Sequence, residues 1–321
     1  MKIKLLIVFL VFNVHFASSQ DATFSITKLK VLDVKRSTTS DFEKADATTL
    51  MSTNSSSSSS LTKTEGTLSV SLTGGATYNI PIKVPPGING IQPEISLTYN
   101  SQGGNGLAGY GWNLSGISVI TRTPATKFHD GFIAPVDLNA DDRFSFDGQR
   151  LLLKSGTYGG EGAVYQTENY SNVKIESFGS YYSGPQYFKV SYPDGSVAYY
   201  GQTSNSRSRM DYAITYWENP QGVRISYEYT SSNNSLSISK ITYGSKAGNT
   251  PINEIQFEYV TRKRPEQSFV GGVRFIRKNI LKKIKVFGNG IGYRNYVLTH
   301  DYNLLGYNRV IKVQEFSGDN T

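Results

Sequence analysis

The residues with the strongest claim to chemistry lie between Gly104 and Asp141. Gly104-Asn105-Gly106-Leu107-Ala108-Gly109 has the GxGxxG spacing of a dinucleotide loop, with a strand before it and Asp130 near the distance of a ribose ligand. Such a loop cradles phosphate only when a helix N-terminus follows it. Here Tyr110-Gly111-Trp112-Asn113-Leu114-Ser115-Gly116 and the strand-like Ile117 to Thr121 follow instead. The glycines then serve positive φ and close packing around Trp112. Asp137-Leu138-Asn139-Ala140-Asp141 has the D-x-N-x-D spacing of a calcium loop, but Asp142 and Gly148 stand where an EF-hand needs Gly and Glu. Two readings stand: calcium on Asp137, Asn139 and Asp141 in another loop geometry, or a polar turn with an Asp cap.

Other chemistries have little to work with. Cysteine is absent, which excludes disulfides, thiol nucleophiles and thiolate zinc sites. The three histidines are His15, His129 and His300, each alone in its segment, and this argues against a transition-metal site. No G-x-S-x-G elbow presents a serine nucleophile. Paired carboxylates for glycoside hydrolysis can be far apart in sequence, and no pair stands out. No catalytic, cofactor or metal residue is assigned. Nine basic residues lie between Arg262 and Lys285 against one acid, Glu266. Such a run could meet nucleic acid, but Ile284 and Val286 share one strand face and Lys283 and Lys285 the other, as on a solvated sheet. The 22 tyrosines sit mostly in apolar registers and favour cross-strand packing over sugar stacking.

The elements that must position these residues are strands. Lys2 and Lys4, the apolar run Leu5 to Phe12 and Ala17-Ser18-Ser19 form a secretory signal, so the mature chain is expected to start at Gln20. The apolar run is too short for a membrane span. Removing its two lysines takes the formal charge from +8 to +6. Residues 20–65 contain a loose strand pattern at Phe24 to Val34, a capping box at Ser40 to Glu43 before a short helix Lys44 to Met51, and a serine linker, Ser55 to Ser60. From Gly66 onward, period-2 patterns dominate. Leu68-Val70-Leu72, Ile95-Leu97-Tyr99, Phe188-Val190-Tyr192, Val223-Ile225-Tyr227-Tyr229 and Ile255-Phe257-Tyr259 each predict one buried face. Pro85-Pro86-Gly87, Asp147-Gly148, Pro193-Asp194-Gly195, Asn219 to Gly222 and Gly288-Asn289-Gly290 separate them as turns. The predicted fold class is all-β, hairpins and meanders with little helix. Tyrosine hairpins recur after residue 192; Tyr259 with Ile280 to Val286, and Tyr302 with Val310 to Val313, read as the same unit carrying insertions. An open edge after the last unit suggests a chain that continues past Thr321.

A family resemblance rests on three ordered blocks. The first is Tyr78-x-Ile80-Pro81-Ile82-x-Val84-Pro85-Pro86-Gly87, then Gln92-Pro93-x-Ile95-x-Leu97-x-Tyr99-Asn100-Ser101. The second is Gly104-Asn105-Gly106 with Gly109-x-Gly111-Trp112-x-Leu114-Ser115-Gly116-x-Ser118-x-Ile120-Thr121-Arg122. The third is Phe128-His129-Asp130-Gly131 with Asp142-Arg143-Phe144-x-Phe146-Asp147-Gly148-Gln149-Arg150-Leu151. Together they closely resemble the N-terminal domain of the SpvB family, shared by a Salmonella virulence plasmid protein and the B components of insecticidal toxin complexes. The downstream tyrosine hairpins are similar to RHS/YD repeats.

The resemblance implies a domain plan: signal peptide 1–19, N-terminal segment and linker 20–65, SpvB-like β domain 66–200 and a YD/RHS-like region 201–321. It implies a secreted, non-enzymatic scaffold, the start of an RHS-type β-shell around a toxic cargo. The implied partner is the rest of that polypeptide or a toxin-complex subunit, with no nucleic acid, no cofactor and no stable membrane span. The virulence protein's ADP-ribosyltransferase lies in a separate C-terminal domain, and its E-x-E motif has no counterpart here. Two other readings stand beside this one: a cell-surface glycan- or protein-binding module, and part of an ADP-ribosylating toxin whose catalytic domain lies elsewhere.

Overall fold

A computed structural model describes residues 64–318. The expected signal, the Phe24–Val34 strand, the Lys44–Met51 helix and the serine run lie outside the described residues. Within them the chain is nearly all antiparallel strand, as the period-2 patterns predict. One short helix, α1 (Lys127–Asp130), has no sequence period long enough to see; Thr126 caps it and Gly131 ends it at φ +78°.

The signature opens as a small sheet: β1 (Thr67–Val70), β2 (Ala76–Pro81), β3 (Ser96–Asn100) and β4 (Trp112–Ser115) in that order. Register aligns Tyr78 with Tyr99 and Tyr99 with Trp112, and one rung along it aligns Ile80, Leu97 and Leu114. The Tyr99 and Trp112 ring centroids are 5.4 Å apart. These cross-strand pairs cover one face. The opposite face is polar, with Ser96 and Ser115 hydroxyls 2.8 Å apart. The buried face expected for Leu68 and Val70 is absent: all of β1 is exposed. It is an edge strand, paired only with β2 among the described strands. Gly116 closes β4 at φ +89°, and a Cβ there would stand 1.8 Å from the Glu94 carbonyl oxygen. Gly116→Ala is therefore expected to cost about 2–4 kcal/mol. A denaturant midpoint that barely moves would show that this corner relaxes.

The centre of the molecule is an eight-stranded up-and-down barrel. Its strands are β5 (Val119–Thr123), β6 (Arg143–Phe146), β7 (Gln149–Ser155), β8 (Val164–Thr167), β9 (Lys174–Phe178), β10 (Tyr187–Ser191), β11 (Val197–Tyr200) and β12 (Asp211–Glu218). Each pairs with the next, and β12 closes the ring on β5 through Asp211 to Thr121. Aromatic side chains fill the interior. Phe144, Phe188 and Tyr212 are fully buried in mutual edge contacts, with Phe188 and Tyr212 centroids 5.0 Å apart. The buried hydroxyls find partners, as in the 2.8 Å bond from Tyr212 to the Pro185 carbonyl. Asp147-Gly148, both at positive φ, makes the predicted tight hairpin between β6 and β7. The boundary expected at 200/201 falls between β11 and β12, two adjacent barrel strands.

β12 also carries the chain onward. Its second half pairs with β13 (Val223–Ser232), and a meander follows: β14 (Ser235–Lys246), β15 (Asn253–Val270), β16 (Val273–Gly288), β17 (Ile291–Tyr302) and β18 (Asn308–Ser317). The stretch expected to be an insertion between Tyr259 and Ile280 is instead the outer part of one long hairpin. Its strands, 18 and 16 residues long, turn at Gly271-Gly272, both at positive φ. Register slips between Thr261 and Glu266, and the buried phase moves from Ile255 and Phe257 to Arg262. This arm reaches the signature loop through Arg262 and Glu266.

Candidate functional site

Two places concentrate polar chemistry. The first is the buckle between the glycine-rich loop and the long strands. Arg262 donates 2.8 Å to the Asn105 side-chain oxygen, 2.9 Å to the Asn279 carbonyl and also to the Gly106 carbonyl. Asn105 donates in turn to Glu266 at 2.6 Å. The Leu281 amide donates to the Leu107 carbonyl, the Tyr110 amide to the Asn308 carbonyl, and His300 Nε2 to the Ala108 carbonyl at 2.8 Å. Gly106 lies so close to the Trp112 carbonyl that a Cβ would meet it at 2.1 Å. The Pro85-Pro86-Gly87 corner is fastened in the same way: Tyr243 donates to the Pro85 carbonyl at 2.7 Å, Asn253 to that of Pro86, and the Lys83 amide to Tyr296.

Arg262 departs from the expected solvated face: it is 3% exposed, while Lys283 and Lys285 stay partly exposed as predicted. Burial next to Arg277 pushes its pKa down to about 10, so it stays charged at neutral pH. Burial also pushes His300 below its ordinary 6.5; Lys282 and Arg262 act the same way, against the bond to Ala108. As pH falls through about 6.5, unfolded His300 takes up a proton more readily than the folded imidazole. Its stabilising contribution is full above that pH and shrinks below it. His300→Gln, which keeps a donor, is expected to narrow the gap in melting temperature between about pH 7.5 and pH 5.5; an unchanged gap would refute the assignment.

Beside the buckle a cleft of about 350 Å³ is lined by Asp211, Glu266, Arg277, Leu236 and Phe275. Here two carboxylates do share a cavity, a placement that the sequence could not show. Burial pushes the Asp211 carboxyl up. Asp211 accepts from Thr121 at 2.6 Å, and Glu266 accepts from Asn105. Each carboxylate is thus engaged in holding a neighbouring element.

The second place is one end of the barrel. The connections at the opposite end are shorter, while this end carries the loops 124–142, 156–163, 179–186 and 201–210. A single side chain ties three of the four. Arg122, pointing inward from β5, donates 2.9 Å to the Arg209 carbonyl, 3.2 Å to that of Asn139 and 3.3 Å to that of Ser183. It also pairs with Asp142 at 2.8 Å, both side chains almost fully buried. Asp142 in turn accepts the Asp137 amide. Close by, Asp130 pairs with Arg143 at 2.6 Å and with Arg150. Burial raises the Asp130 pKa, but the Thr126 amide and the two arginines outweigh it and hold it below 3.8. The residue at the ribose position of a dinucleotide reading is thus taken up by ion pairs.

The D-x-N-x-D segment belongs to this end. Asn139 accepts the Asp141 amide at 2.8 Å, in the manner of a capped turn. Among the described residues no group of three or more His, Asp or Glu is placed to hold a metal. The arm tip touches the same segment: a Cβ on Gly271 would meet the Asp137 carbonyl at 2.4 Å. Sequence reasoning passed over Arg122 as a hub. Its signal was a charge in the apolar register of a strand, two residues after Ile120.

The profile of the family described as Salmonella virulence plasmid 65kDa B protein, SpvB, matches residues 70–262. No curated protein matches the chain. The N-terminal domain of effector protein SpvB from Salmonella typhimurium strain LT2 superposes with a TM-score of 0.61 at 17% identity, covering 75% of this chain and 99% of that one. The TcdB2-TccC3 crystal structure gives 0.62 at 15% identity, with 81% of this chain and 16% of that one covered. The Tc holotoxin pore of Photorhabdus luminescens gives 0.63 at 16% identity and the same coverage of 81% and 16%. At such identities the likeness is one of fold. The resemblance read from the three signature blocks and the profile match agree, and the chain belongs to the SpvB family.

Proposed function

We propose that this chain is an exported, non-enzymatic β-scaffold, the front part of a toxin-complex-B or RHS-like protein that forms or docks a shell wall around a toxic cargo. The observation that carries this reading is the use made of the signature's polar residues. Asn105, Arg122, Asp130, Asp142, Arg143 and Arg150 all bond to other parts of the fold. Catalysis needs a poised group with access to substrate, and the signature supplies fasteners instead. The meander supports the wall role, since it grows by antiparallel addition and β18 pairs only with β17 among the described strands. In this reading further tyrosine hairpins extend that edge and the N-terminal address exports the product. Among the described residues no helix is long and apolar enough to cross a membrane.

The test is peptide mapping and intact mass of the protein recovered from culture medium, with a nicotinamide-release assay on the same sample. A polypeptide beginning at Gln20, continuing past Thr321 into more tyrosine hairpins, and with this domain silent towards NAD, is expected. Retention inside the cell, or turnover by these 321 residues alone, would contradict the proposal.

A further inference from the structure

We propose that Tyr181, Tyr182, Arg207 and Arg209, at the loop end of the barrel, form a docking surface for an acidic, carboxylate-bearing segment of a partner protein. This goes beyond the scaffold reading and does not depend on export or on a shell.

The four side chains make two adjacent cation–π pairs. Arg207 lies 4.9 Å from the Tyr181 ring centre and Arg209 4.6 Å from that of Tyr182. The two tyrosine rings meet edge to face at 4.8 Å. Arg122, Arg143 and Arg150 at the same barrel end each have a carboxylate. Arg207 and Arg209 have none within ion-pair distance among the described residues. Arg207 gives Nη1 to the Gly201 and Gln202 carbonyls. The Arg209 guanidinium donates to no described acceptor, and the Nε atoms of both arginines are buried without a partner. Those Nε atoms have no solvent access, so a docked ligand would meet the outer Nη groups of the forks. A carboxylate is the group whose geometry fits a guanidinium fork.

The patch is held ready. Arg122 grips the Arg209 and Ser183 carbonyls, and the Tyr181 amide closes on the Gly184 carbonyl at 2.8 Å. Gly184 has no room for a Cβ, which would stand 2.5 Å from the Arg122 guanidinium. Tyr182 is 66% exposed at φ +52°, a conformation that a bulky residue keeps only when its surroundings impose it. Fixed loops lose less entropy on binding. The loop sequences, Gly-Ser-Tyr-Tyr-Ser-Gly-Pro-Gln at 179–186 and Gly-Gln-Thr-Ser-Asn-Ser-Arg-Ser-Arg-Met at 201–210, have the Tyr, Ser, Gly, Asn and Arg content of binding loops. An acidic partner complements a chain that stays at +6 without its expected signal. A sugar fits less well, because Arg209 already covers a face of the Tyr182 ring.

The test is fluorescence anisotropy with the full chain and a labelled oligoglutamate peptide at physiological salt, with a heparin oligosaccharide as the rival ligand. Arg209→Ala is expected to weaken peptide binding about tenfold. Tyr182→Gly is expected to weaken binding while keeping or raising the melting temperature, because it relieves the positive φ; it therefore serves even if the arginine variant folds poorly. Lys263→Ala with Arg264→Ala removes two other ring-stacked cations and is expected to leave binding unchanged. No peptide binding, equal weakening by the control pair, or binding of heparin alone would overturn the proposal.

Discussion

Arg122→Ala is expected to destabilise the protein by about 3–5 kcal/mol, because it leaves Asp142 buried without its counter-charge. The size follows from what one guanidinium does. It neutralises a carboxylate and donates to a carbonyl on each of three barrel-end loops, 124–142, 179–186 and 201–210. Arg122→Lys keeps a charge but cannot reproduce a planar fork, so it is expected to recover only a small part. Urea denaturation measures the loss. Amide exchange should accelerate together in the loops 124–142, 179–186 and 201–210. A loss below about 1 kcal/mol, or loosening of a single loop, would show that the loops stand independently.

Arg262→Ala has the next largest expected effect, about 2–4 kcal/mol. The variant strips partners from the Asn105 oxygen and from the Gly106 and Asn279 carbonyls in one step. Trp112 lies beside this loop, so its emission should shift to the red as the buckle loosens. The second tryptophan, Trp217, is best replaced by Phe for that reading. Lys263→Ala, one residue away and exposed, is expected to change stability by less than about 0.5 kcal/mol. Equal effects at the two positions would remove Arg262 from its role.

Much of this architecture was legible because strands and tight turns are local. Val223 to Tyr229 alternates in sequence and is buried in alternation. Asp147-Gly148 and Asn289-Gly290 mark their hairpins through residues that tolerate positive φ. Barrel closure was not legible, because pairing Asp211 with Thr121 joins distant segments with no local mark. The glycine loop could be read as a packing element because no helix follows it. Its partner could not be read. Arg262 sits in a charged run, and only the register slip before Glu266 turns it inward. β1 shows the opposite failure: its pattern is sound, but an edge position leaves Leu68 and Val70 uncovered.

The family signature fastens the small sheet to the long strands. Two amides report on it directly, since Tyr110 donates to Asn308 and Leu281 donates to Leu107 across the buckle. Native-state hydrogen exchange at these two amides is the measurement. Protection comparable to the barrel amides of β5 is expected, lost at both sites in Arg262→Ala. Exchange at Tyr110 and Leu281 as fast as at the exposed turn residues Leu304 and Leu305 would contradict it.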